Sequence, residues 1–405
     1  MEIFFSVGEP SGDLHGANLI AALRRRMPHC QFVGYGGPRM AAAGARLHAD
    51  LTQLAVMWVL SAVLNLHKFV RLLRAADRYF REHRPDAVVL IDYPGFNWWI
   101  ARRAKAQGIP VIYYGTPQLW AWASHRVRKM RKYVDHVLCK LPFEEKWFND
   151  RGCHATYVGH PYFDELRNRS VDAAFVNELT GSGGRLVTIL PGSRDQEVAG
   201  NARDLLLAAH RIAGRVSRVR FAVAAFKPEQ AQVVAQLADE LDVPVEVFTG
   251  RTPELIAAAD VCLACSGSVS LELLYHGRPS VILYRVSRFG YEVQRWFRRV
   301  RYITLVNLLT TDDPSTTRPA SVYDPYDPRD SHVLMPEYLT YQDRTRDVAD
   351  HAIRWLTDAT ERQRIEHGLT DLADRVGQGG ASELAADYIA NLLDQHGTTV
   401  ATIAA

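Results

Sequence analysis

Cysteine is scarce in this chain: five residues among 405, an odd number scattered along the sequence. That excludes a disulfide framework and fits a reducing compartment. The C-x-x-C pair Cys262 and Cys265 lies in an apolar run with no second pair and no histidine beside it. In a strand, residues three apart face opposite sides, so core packing is the expected role. Long apolar runs are also lacking. The longest, Leu54 to Leu64, is about half of the roughly 20 residues that a membrane span requires. Neither sign of charge is in excess: 48 Lys plus Arg stand against 45 Asp plus Glu, a net +3, which speaks against a global basic field for nucleic acid. There is no Asp-x-Asp, H-E-x-x-H, G-x-G-x-x-G or G-x-x-x-x-G-K. Metal-held diphosphate, zinc protease, nicotinamide and P-loop chemistries therefore lose their usual signatures. The N-terminus has no basic segment ahead of an apolar one, so a cytoplasmic location is expected.

What the chain does contain is alternation. Ile3 to Val7, Gln31 to Tyr35, Ala87 to Ile91, Val111 to Tyr114 and His136 to Leu138 read as strands separated by amphipathic helical segments. The periodicity breaks from Asn168 to Arg185, which reads as a linker, and resumes with Leu186 to Leu190, Arg220 to Ala224, Val245 to Phe248, Val261 to Cys265 and Ser280 to Tyr284. The expectation is an α/β protein of two parallel-sheet domains, 1–168 and 185–342, with a cleft between them and a helical segment over 343–405. Thr310 to His332, with four prolines among Asp, Ser and Thr, reads as a long loop.

Several strand ends carry residues suited to chemistry. Gly8-Glu-Pro-Ser11-Gly12-Asp13-Leu-His15 follows the first strand and opens a helix, whose amides suit an anionic or polyhydroxy ligand. Asp13 is a cap or a ligand contact; His15 is a general base or faces a neighbouring loop. Asp92, in Ile91-Asp-Tyr-Pro-Gly-Phe-Asn97, is a cap or a catalytic carboxylate. Trp120-Ala-Trp122, followed by His125, Arg126 and Arg128, combines an aromatic wall with cations for a sugar face, a lipid or a phosphate. In the second half, Pro191-Gly192-Ser193-Arg194 offers amides and a guanidinium to a pyrophosphate. Ser266-Gly267-Ser268 opens another helix, with Glu272 one turn inside and suited to ribose hydroxyls. Six arginines from Arg285 to Arg301 form a basic segment, which suits an anionic membrane, donor phosphates or a nucleic acid. No nucleic-acid motif accompanies it.

Taken in order, these motifs resemble the lipid-A-disaccharide synthase family. The match comprises Gly8 to Asp13, Gly37-Pro-Arg-Met40 with Gly44, Leu54-Ala-Val-Met57, Ile91 to Asn97, Trp120 to Trp122, Leu141-Pro-Phe-Glu144, Val158-Gly-His160-Pro161, Leu190 to Arg194 with Glu197, Ser266 to Ser268 with Glu272, and Asn307-Leu-Leu309. The resemblance implies an inverting, metal-independent glycosyltransferase of the GT-B type, with two Rossmann-like domains facing a central cleft and C-terminal helices returning towards the N-terminal domain. It implies UDP-2,3-diacylglucosamine as donor, 2,3-diacylglucosamine 1-phosphate as acceptor, no cofactor, and work at the cytoplasmic face of the inner membrane; a homodimer is left open. Asp92 matches the catalytic aspartate, with His15 as rival base. Arg194, Gly192, Ser193, Ser266, Gly267, Ser268 and Glu272 match the nucleotide site. Ser11, Gly12, Asp13, Asn97, Trp120, Trp122, Arg126 and His160 fall to the acceptor or sugar. The apolar stretch with Val56, Trp58, Val59, Leu60 and Val63, followed by Lys68, Arg71 and Arg74, becomes a membrane or acyl-chain patch. Ala123 stands where the family commonly has Arg, and Thr310 to His332 is an insertion. The alternatives are another UDP-sugar enzyme of the same architecture, either an N-acetylglucosaminyltransferase with a lipid acceptor or a UDP-N-acetylglucosamine 2-epimerase.

Overall fold

The computed structural model describes residues 1–53, 66–311, 314 and 321–404. The expected apolar patch, with Val56, Trp58, Val59, Leu60 and Val63, lies outside the described residues, as do 312–313 and 315–320 of the insertion.

The chain forms two compact units, Met1–Arg167 with Gln378–Ala405, and Asn168–Gly377. The first unit is built on seven parallel strands: β1 (Glu2–Val7), β2 (Gln31–Gly36), β3 (Arg46–Asp50), β4 (Ala87–Ile91), β5 (Val111–Tyr114), β6 (His136–Cys139) and β7 (Ala155–Tyr157). Their spatial order is β3-β2-β1-β4-β5-β6-β7. Every residue of β4 is buried, which explains its unbroken apolar run Ala-Val-Val-Leu-Ile. The second unit holds β8 (Arg185–Leu190), β9 (Val219–Ala225), β10 (Val245–Thr249), β11 (Val261–Cys265), β12 (Ser280–Arg285) and β13 (Glu337–Thr340), in the order β10-β9-β8-β11-β12-β13. In each sheet the winding reverses beside the first strand, at β1/β4 and at β8/β11. Loops diverge at such a point and leave room for a ligand at the carboxyl ends of the strands.

The structure departs from the sequence reading in three places. The expected linker contains a helix, Ala173–Gly181, whose first turn is capped by the Asp172 carboxylate accepting from the Phe175 amide at 3.1 Å. The tail expected as one segment over 343–405 is divided: the helices Thr345–Thr357 and Ala359–Val376 stay with the second unit, and only Ala381–Ala404 joins the first. There Ala385, Ala386, Ile389 and Leu393 pack with Leu19, Ile20 and Leu23 of the helix Pro10–Arg26. Its start is fixed by Asp164, which accepts from the amides of Ala381 and Ser382 at 3.2 and 2.9 Å. Finally, β3, β7 and β13 were not expected as strands; they are short, and each lies at a sheet edge.

The described part of the insertion is tied to its own unit. Asp330 receives Arg301 Nη2 at 2.6 Å, Tyr302 Oη at 2.7 Å and the Asp324 amide at 2.8 Å. The Asn307 motif is structural: its Nδ2 donates to the Met335 carbonyl at 2.7 Å and to Glu337 at 2.9 Å. Burial pushes the Glu337 carboxyl up to about 7.

Candidate sites at the strand-order reversals of each unit

At the end of β4 the backbone takes a costly path. Asp92 and Tyr93 both sit in the left-handed region, with φ +46° and +44°. Such a conformation in non-glycine residues persists only where neighbours enforce it. The enforcers are Asn97, whose Nδ2 donates to the Asp92 carbonyl at 2.8 Å, and Tyr113, whose hydroxyl donates to the same carbonyl at 2.6 Å. Asn97 is itself fully buried and accepts from Ser6 Oγ at 2.7 Å. It therefore acts from behind Asp92 rather than as the sugar contact expected from sequence.

This turn aims the Asp92 carboxylate at the start of the helix Pro10–Arg26. A Cβ added to Gly12 would stand 2.9 Å from Val7 Cγ1, too close without a shift, and 3.7 Å from Asp92 Oδ2, which places the carboxylate beside the helix start. Lys140, directly after β6, approaches Asp92 Oδ1 at 3.6 Å. Burial disfavours the Lys140 ammonium, but Asp92 and Glu144 more than offset it and hold its pKa above the usual lysine range. His15 is buried, and among the described residues its Nδ1 has no hydrogen-bond partner. Burial lowers its pKa; Asp92 opposes that shift and Lys140 assists it. His160 is driven well below the ordinary histidine range, first by burial and then by Lys140 and His15. The result is a carboxylic side chain, an amine and two imidazoles whose charged form burial disfavours, gathered beyond the carboxyl ends of one sheet, a set suited to moving a proton.

Other expected contacts have different duties. The Asp13 carboxylate accepts from the amides of Gly37, Arg39 and Met40 at 2.9, 3.0 and 3.1 Å. It caps the helix Pro38–Ala42 and so is committed to the fold rather than free for a sugar. Trp120 is buried and donates from Nε1 to Glu144 at 2.9 Å, so the aromatic wall reduces to Trp122, which is 43% exposed. Ser11 and Arg126 are exposed.

In the second unit, Gly192 adopts φ +127°; a Cβ there would come within 2.4 Å of Glu197 Cβ. The amides of Ser193 and Arg194, expected to face a pyrophosphate, donate instead to Glu197 Oε2 at 3.0 and 3.1 Å. What remains for an anion is the Arg194 guanidinium, whose side chain is 82% exposed. After β11, Gly267 and Ser268 are exposed and Ser266 is half-buried. Glu272 is buried and ion-paired with Arg169 at 2.8 Å, so it is not the open ribose acceptor expected from sequence.

Sequence reading missed Lys140, Tyr113, Glu144 and Arg169 as parts of these sites. Lys140 had a legible signal: a lone cation between a buried strand and a proline-opened helix. Arg169 had none, because its partner lies 103 residues away.

Among the described residues, no His, Cys, Asp and Glu side chains gather in threes as metal ligands. No helix there is long and apolar enough to cross a membrane. Half of the basic segment is engaged internally: Arg285 pairs with Asp204, Arg301 with Asp327 and Asp330, and Arg298 is buried, while Arg288 and Arg295 are exposed.

A family model described as lipid-A-disaccharide synthetase matches residues 3–315. The lipid-A-disaccharide synthase of Myxococcus xanthus is 31% identical over 392 residues, covering 96% of this chain and 97% of that one. Among solved structures, UDP-GlcNAc 2-epimerase from Neisseria meningitidis aligns with a TM-score of 0.60 at 10% identity, covering 97% of this chain and all of its own. The MurG of Acinetobacter baumannii aligns at 0.54 with 11% identity, over 97% and 99% of the two chains. At such identities these likenesses speak to the fold alone, which is of the GT-B type.

Proposed function

The chain belongs to the lipid-A-disaccharide synthase family, a family of glycosyltransferases, and from that premise we propose that it joins two diacylglucosamines into the disaccharide of lipid A. The donor is UDP-2,3-diacylglucosamine and the acceptor 2,3-diacylglucosamine 1-phosphate; the products are the β-1,6-linked disaccharide phosphate and UDP. The reaction belongs at the cytoplasmic face of the inner membrane. Similarity along 96% of the chain carries this reading.

The geometry supports a displacement mechanism. The acceptor 6-hydroxyl oxygen attacks the anomeric carbon, the bond from that carbon to the diphosphate oxygen breaks, and UDP departs with the electron pair. Asp92 takes the hydroxyl proton. Lys140, 3.6 Å away, helps place its carboxylate, and Asn97 with Tyr113 hold the strained turn. His15 stands as a second proton acceptor in the same group. Arg194 and the Ser266–Ser268 turn meet the charge that develops on the diphosphate, and Glu272 braced by Arg169 holds the helix that follows. The leaving group arrives with the donor, so no group-carrying cofactor is called for, and Arg194 with the Ser266–Ser268 turn takes the charge-stabilising part a metal could otherwise play.

Purified protein given both lipids should release UDP only when the monophosphate acceptor is present, equally with and without EDTA, and mass spectrometry should show the disaccharide. UDP release without acceptor, or conversion of the sugar nucleotide to an epimer, would sink this reading.

A further inference from the structure

The helix Arg288–Phe297 is unlike the others around the second sheet, because none of its residues is buried. Its start is fixed by Ser287, whose Oγ accepts from the Gly290 amide at 3.0 Å. One face is held by the Tyr291 ring against Tyr341, centroids 5.2 Å apart, and by the buried Arg298 that follows the helix. The other face carries Phe289, Val293, Trp296 and Phe297, spaced to fall on one stripe of an α-helix. Their exposures are 80, 40, 72 and 63%. So much aromatic surface left in water on a folded unit marks a surface that meets something else.

Charge decides what that is. Arg288 and Arg295, both exposed, lie about two turns apart and so flank the same side of the apolar stripe. The one acid on the helix, Glu292, meets Arg295 at 3.4 Å in an exposed pair that holds little. A second copy of the chain docked by two-fold symmetry on this stripe would bring these arginines towards their own counterparts. An anionic lipid surface meets both features at once: aromatic rings enter the interfacial layer while guanidinium groups reach phosphates. At ten residues the helix spans roughly 15 Å, which suits lying in the interface rather than crossing it.

We infer that Arg288–Phe297 is an interfacial anchor that seats the second unit on an anionic bilayer. The inference rests on the proposed function for the identity of that surface, since both substrates would be membrane lipids.

Full-length protein should co-sediment with phosphatidylcholine vesicles containing about one third phosphatidylglycerol, and far less with phosphatidylcholine alone. The triple variant Phe289→Ser, Trp296→Ser, Phe297→Ser should bind the anionic vesicles at least about tenfold more weakly. Arg288→Glu with Arg295→Glu should remove the preference for anionic lipid and its sensitivity to salt. Both variants should keep the wild-type circular dichroism and turn over detergent-dispersed substrates within about twofold of wild type. Unchanged vesicle binding by the triple variant overturns the inference. So does a wild-type dimer that the triple variant dissociates while vesicle binding persists, because the stripe is then a subunit contact. If wild type binds vesicles through this helix but never forms the disaccharide, the activity reading fails and the anchor stands.

Discussion

At the reversal point of the first sheet, Asp92 and Lys140 face each other across 3.6 Å with side chains only 19% and 16% exposed. At the equivalent point of the second, Arg194 stands 82% exposed, against one carboxylate 3.4 Å away. Both units are wound alike, and both put a glycine-bearing turn ahead of a helix there. The difference lies in what the surrounding side chains do with charge. The first unit keeps its half-buried pair in place by fixing the backbone beneath it, through the bonds of Asn97 and Tyr113 to the Asp92 carbonyl. The second leaves its cation on a long, solvated stem. On the proposed function, the first arrangement suits a proton acceptor, which needs placement, and the second a receptor for a leaving diphosphate, which tolerates reach.

The contrast can be broken at its strongest point. Asp92→Asn should lower kcat by about 10²–10⁴ with melting temperature nearly unchanged, as read by acceptor-dependent UDP release. Full activity would move the base to His15 and remove the reason for the strained turn. Arg194→Ala should cost about 10²–10³ in kcat/KM and raise the donor KM. Its melting temperature should not move, because an exposed pair of this kind contributes little to folding. Arg194→Lys should recover only part of the loss, since an ammonium lacks the guanidinium fork.

Stability should divide differently from activity. Asp13→Ala strands three amides, two of them buried, and should lower folding stability by about 2–3 kcal/mol in urea titrations, with activity per folded molecule little changed. A selective loss of acceptor affinity at full stability would return Asp13 to the sugar site.

The smallest expected effect is one the units share. Burial lowers the pKa of His15 and His160 in the first, and holds His276 and His351 at about 4 in the second. The unfolded chain binds protons that these folded imidazoles refuse. Their contribution is therefore complete above about pH 6.5 and is lost as pH falls from there towards 4. His351, whose Nε2 meets the Tyr338 hydroxyl at 2.9 Å, is the simplest to test. His351→Gln should reduce the loss of stability between about pH 7 and pH 5 by up to about 2 kcal/mol. A pH dependence identical to wild type would refute that assignment.

The buried strands were legible because β1, β4, β5, β8 and β11 are apolar runs bounded by turn residues, a pattern forced by parallel sheets covered on both faces. The edge strands β3, β7 and β13 were not, since Arg46–Asp50 and Ala155–Tyr157 mix polar and apolar residues without clean alternation. That Asp92, His15 and the exposed Arg194 stand just after strands could be read from the sequence. What each of their neighbours does could not. Asp13, Glu197, Glu272 and Trp120 are all polar or aromatic residues in motifs, and each has a partner inside its own unit that lies too far along the chain, or turns too locally, for spacing to reveal. The division of the tail was illegible for a related reason: three amphipathic helices in a row show that each has an apolar face, not which sheet will cover it.

The helix Ala381–Ala404 closes the first unit, and the second unit is made entirely from the stretch between. A ribosome therefore completes the second unit while the first still lacks the surface that covers Leu19, Ile20 and Leu23. During synthesis of more than 200 residues, from Asn168 to Gly377, that apolar groove waits for its lid. The half bearing the strained carboxylate becomes whole only when nearly all the chain has been made, so nascent chains should offer chaperones a binding face in the first unit long after its own strands have emerged.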